Sequence, residues 1–136
     1  MKSKSTRRVG VLLTVAIIFS PATRAADKQQ LKAAVAAVEA NLKTSAGKQY
    51  DELVGKELTE KYLAGLKPCK QSLPPGTKID TFDMFLRLNS DGKVQEGLVY
   101  PETQYAVCAR TALLAAKFSR PPHEDYWINI HMEFKH

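Results

Sequence analysis

The side chains able to do chemistry are few: Cys69, Cys108, His123, His131 and His136, with Glu133 between the last two histidines. A hydrolase needs a nucleophile with a base in reach. Cys108 could serve only if Cys69 left it free, and its place on the apolar face of a helix suits packing or bridging. His131, Glu133 and His136 are the metal candidates. Strand alternation puts His131 and Glu133 on one face and His136 on the other, and two ligands fall short of the four that a structural zinc site takes. His123-Glu124-Asp125 follows two prolines and reads as a polar turn. Gly-x-Ser-x-Gly, His-Glu-x-x-His, the phosphate-binding loop and the dinucleotide fingerprint are all missing from the sequence. A non-enzyme with neither metal nor cofactor is expected.

Binding is the remaining kind of function, and its candidates lie near the end of the chain. Trp127 alternates with Ile128, Ile130 and Met132, so it faces away from them. It could pack under helices, as a lone tryptophan commonly does, or anchor a protein partner with Tyr126 beside it and Phe85 on the same sheet face. The expected partner-binding set is Tyr126, Trp127, Asn129, His131 and Glu133.

The first 25 residues set the compartment. Lys2, Lys4, Arg7 and Arg8 form a basic head, residues 9–19 an apolar run of signal-peptide length, and Thr23-Arg24-Ala25 a site for cleavage after Ala25. An uncleaved anchor is the alternative. The full chain of 136 residues carries a net charge of +6. Five of its 20 basic residues leave with the leader and no acidic residue does, so the mature chain holds 15 basic and 14 acidic side chains, a net of +1. Such a balance gives no general reason to hold polyphosphate, and nucleic acid is discarded as a partner. Export to the periplasm, or secretion, suits a disulfide between Cys69 and Cys108.

The positioning elements follow from periodicity. Leu31, Ala34, Val35, Val38 and Leu42 mark a helix over 28–43 capped by Asp27, and residues 44–47 break it. Tyr50, Leu53, Val54, Leu58 and Tyr62 mark a second helix over 48–66, whose Asp51, Glu52, Lys56, Glu57, Glu60 and Lys61 make a solvated face. Prolines and a glycine make 66–78 an irregular connector. From Ile79 the period drops to two. Strands are expected over 82–88 and 94–100 around the Asp91-Gly92 turn, and over 126–135 at the end. Between them a helix over 103–118 is stopped by Pro121-Pro122. The divisions are a signal peptide over 1–25, a helical pair over 26–67, a connector over 68–78 and a β-β-α-β unit over 79–136. Residues 26–136 are expected to fold as one α+β domain with a three-stranded antiparallel sheet.

The hairpin with Asp91-Gly92, the helix carrying Val107-Cys108-Ala109 through Ala112 to Ala115-Ala116, the Pro121-Pro122 pair and the closing strand with Phe134 resemble the C-terminal domain shared by the envelope proteins TonB and TolA. The TolA form is nearest, because it too has a cysteine near the start of that helix. Its partner cysteine lies in the first strand, near Phe82 here, whereas this chain has Cys69 upstream. Those proteins also keep a permanent membrane anchor and a long spacer, whereas here a cleaved signal and no Pro-rich spacer are expected. The resemblance covers about half the mature chain and implies a periplasmic module that binds an envelope protein or peptide, partly by strand addition at a sheet edge. A small secreted inhibitor or immunity protein against an envelope-acting enzyme is the other reading.

Overall fold

The computed structural model describes residues 28–135; the expected leader, the expected Asp27 cap and His136 lie outside the described residues. Helix α1 spans Lys28–Leu42 and α2 spans Ser45–Glu57. The expected break at 44–47 is instead the cap and first turn of α2. Thr44 is extended, and its hydroxyl accepts from the Gly47 N–H at 2.9 Å. A Cβ on Gly47 would overlap the Asn41 carbonyl, so glycine lets the two helices meet at this corner.

Helix α2 does not run on to residue 66 as expected. It passes through a π turn (Leu58–Tyr62) and a 3-10 turn (Leu63–Leu66) into a short helix α3 (Lys67–Gln71). The i→i+5 bonding of a π turn brings residues five apart onto one side, and Glu57 and Tyr62 both reach the same stretch of chain. The Tyr62 hydroxyl donates to the Lys117 carbonyl at 2.6 Å and accepts from its N–H at 3.0 Å. Glu57 accepts the Ser119 N–H at 3.1 and 3.2 Å, and Tyr50 donates to the Ser119 carbonyl at 2.7 Å. Three side chains thus hold both backbone groups of Lys117 and of Ser119.

Helix α3 corrects the irregular connector. Pro68 sits in its first turn, where the missing N–H has no partner to lose. The turn carries Cys69 to Cys108, and the two form a disulfide with Cα atoms 5.7 Å apart and a sequence separation of 39. In the chain-entropy account a loop of that length stabilises by about 4 kcal/mol.

The sheet is antiparallel in the order β2-β1-β3, with β1 at Phe82–Leu88, β2 at Val94–Tyr100 and β3 at Tyr126–Met132. Helix α4 (Gln104–Leu113) is capped by the Thr103 hydroxyl and ends well before Pro121-Pro122. The reason is competition from the hairpin. Ala116 accepts from the Val94 N–H at 3.2 Å and Phe118 donates to the Gly92 carbonyl at 2.9 Å, so residues 116–118 lie extended against it. Gly92 has φ +88°, and a Cβ there would overlap the Phe118 carbonyl.

Both sheet faces are covered. Phe82, Met84, Leu86, Leu88, Ile128 and Ile130 pack with α4 and with Tyr50, Val54 and Leu58. Ala106 and Ala109 of α4 are fully buried, so small side chains bring this helix close. On the other face Phe85 and Leu98 lie under Ala34 and Val38 of α1, with Trp127 packed alongside.

Glu57 is buried, and burial pushes its carboxyl up; the Ser119 hydrogen bonds and the Lys61 ammonium outweigh this and hold it below its ordinary 4.5. A depressed carboxyl stabilises above its unfolded pKa, and the effect is lost as pH falls through the lower folded value. Glu57→Gln should therefore reduce stability at pH 7 by about 1–3 kcal/mol. In urea titrations the gap between parent and variant should close as pH falls below 4.5. A gap independent of pH would show that the carboxylate charge contributes nothing.

Candidate functional site

The backbone directions along β3 are fixed by the hairpin. The Asn89 N–H donates to the Lys93 carbonyl at 2.9 Å, so odd-numbered residues of β1 turn their backbone groups to β2 and even-numbered ones turn to β3. Ile128 and Ile130 therefore bond β1, and Trp127, Asn129 and His131 turn outward. The Trp127 carbonyl accepts from Asn41 Nδ2 at 3.1 Å, which closes the edge at the α1–α2 corner. Beyond that point β3 has a strand neighbour on one side only.

The open part of the edge faces a groove of about 180 Å³ lined by Asp51, Val54, Gly55, Leu58, Asn129, Ile130 and His131. Gly55 leaves its wall low, since nothing lies within 4 Å of where a Cβ would stand. Asp51 also lines a small hollow with Gly47, Trp127 and Ile128 at the closed end. Helix α2 therefore runs in the same direction as β3, with Asp51 level with Ile128 and Asn129, and Leu58 level with Ile130 and His131. Burial, then the neighbouring Glu52, raise the Asp51 carboxyl above its ordinary value.

Around the strand, on the α1 side, the polar side chains converge. His131 Nδ1 lies 2.8 Å from Asp83 Oδ1, and its Nε2 lies 3.1 Å from Glu133 Oε1. Asn129 Nδ2 donates to the same Asp83 oxygen at 3.3 Å. Both ring nitrogens meet acceptors, so the imidazolium, with two donors, satisfies the site best.

The structure brings Trp127, Asn129, His131 and Glu133 of the expected set to this edge. Tyr126 is the exception. It shares its parity with Ile128 and Ile130, so it turns into the core, 3% exposed, edge-on to Tyr50 with ring centroids 5.1 Å apart. It props the strand and presents nothing to a partner. Trp127 is partly buried against the α1 cluster, the packing role. His123 is tied to its own loop, with Nδ1 2.7 Å from the Glu124 carbonyl and Nε2 3.2 Å from Asn41 Oδ1. Sequence reasoning did not single out Asp51 or Asp83. Asp51 reads as one more charge on a wet helix face, and Asp83 meets His131 only through the β1–β3 register.

The molecule is thus an α+β protein with a three-stranded antiparallel sheet, in which β2 and β3 each have a strand neighbour on one side only. Among the described residues no helix is long and apolar enough to cross a membrane, and no group of three or more His, Cys, Asp and Glu side chains is arranged to hold a metal ion. Comparison with protein-family models, with curated proteins and with solved structures gives no match.

The hydrogen bonds to Asp83 and then to Glu133 raise His131 above its ordinary 6.5. A raised imidazole stabilises fully below its unfolded pKa, and the effect is lost as pH rises through the folded value. An NMR titration of the His131 ring should give a midpoint above 6.5, and Asp83→Asn should lower it. The same midpoint in parent and variant would mean that this pair does not form in solution.

Proposed function

We propose that this is an exported, non-enzymatic protein-binding module of the bacterial cell envelope, similar to the C-terminal domain shared by TonB and TolA. It takes an envelope protein or peptide on the outer edge of β3. The observation that carries the reading is the groove beside β3, an end strand of the sheet, with the backbone groups of Asn129 and His131 directed outward along it. Free N–H and C=O groups on an edge are a template for an added strand, and side-chain pockets beside it supply selectivity. The leader-like basic and apolar stretches of residues 1–25 support export, and the Cys69–Cys108 disulfide fits an oxidising compartment.

Asn129→Pro is the discriminating variant, because its N–H faces away from β1 and proline is tolerated on such an edge. The parent should retain an envelope protein at micromolar concentration from a detergent extract of its own cells. The variant should lose it while unfolding as Asn129→Ala does, the change that removes only the side-chain bond to Asp83. No retention by the parent, or equal retention by both, would overturn the reading.

A further inference from the structure

We propose that the β3 edge selects an extended segment in which an apolar residue is followed, two positions on, by lysine or arginine, the cation being read by Asp51. This inference rests on the strand-edge reading above and adds the chemistry of the occupant. A strand laid antiparallel on the outer side of β3 pairs across Asn129 and His131. Residues directly opposite in such a pair point to the same sheet face. The residue opposite Ile130 therefore projects toward α2, onto Val54 and Leu58, which are buried groove walls. The residue two positions later lies opposite Ile128 and projects toward Asp51. Antiparallel addition continues the pattern of both existing strand pairs.

The charge preference comes from what Asp51 lacks. Partial burial and the negative charge of Glu52 both disfavour its carboxylate. Among the described residues no basic side chain forms an ion pair with it, Lys48 one turn earlier included. The other carboxylates at this edge, Asp83 and Glu133, are taken up by His131 on the opposite sheet face. An arriving cation would relieve Asp51 of repulsion from Glu52 and supply the missing partner. An arriving carboxylate would meet two negative charges.

The test uses end-blocked Thr-Thr-Leu-Thr-Lys-Thr-Thr and its counterpart with glutamate in place of lysine, titrated into the protein and followed by amide NMR shifts. The lysine peptide should shift the Asn129 and His131 amides and bind roughly five- to ten-fold more tightly than the glutamate peptide, the scale of a part-exposed ion pair gained against one reversed. Asp51→Asn, an isosteric change, should remove that difference without lowering the thermal unfolding midpoint. Equal binding of both peptides at the same amides would overturn the charge selection and leave strand addition standing. Absence of any shift on β3 would overturn both.

Discussion

The position of α2 depends on a clamp built from one carboxylate and two phenols. Glu57, Tyr50 and Tyr62 together satisfy the N–H and carbonyl groups of Lys117 and Ser119. Those residues belong to the stretch that the hairpin draws out of α4, so the clamp joins the N-terminal helices to the C-terminal sheet at one place. At the other end of α2 the Gly47 corner presses against Asn41, whose side chain caps Trp127. Helix α2 is held at both ends and lies along β3 between them. The groove beside the strand edge is the space left in the middle, where Gly55 contributes no side chain.

The same clamp explains why one helix is irregular. A regular α-helix places residues five apart well around its surface, so Glu57 and Tyr62 could not both reach residues 117–119. The π turn resolves that conflict locally. Its cost is offset by hydrogen bonds to a buried carboxylate, which are stronger than neutral ones. Binding to Ser119 also explains how a carboxyl group that is 6% exposed remains ionised.

The strands were legible because their signal is local. Alternation over Phe82–Leu88 and the glycine after Asp91 need no knowledge of the rest of the chain. The end of α4 was not legible, since Ala116 continues the three-and-four spacing of Tyr105, Ala109 and Leu113, and the chain leaves the helix only because the hairpin offers Ala116 and Phe118 backbone partners. Pro121-Pro122 looked like the stop and is simply part of the following loop. For the site, parity alone separated Trp127 from Ile128 and would have placed Tyr126 inside. His131 and Glu133 were visible as a pair on one face. Asp51 and Asp83 were not, because each gains its meaning from a neighbour dozens of residues away. The TonB/TolA resemblance drew on the same local signals, a hairpin, a small-residue helix and a closing strand. It does not reach the groove, one wall of which comes from α2, outside that half of the chain.

The central claim is that β3 has free outward backbone groups at Asn129 and His131. Amide hydrogen exchange on the free protein tests it most directly. The account predicts fast exchange at Asn129 and His131 alternating with strong protection at Ile128 and Ile130, because only the latter donate to β1. Uniform protection along all four residues would mean that the outer edge is already occupied, and would contradict the account.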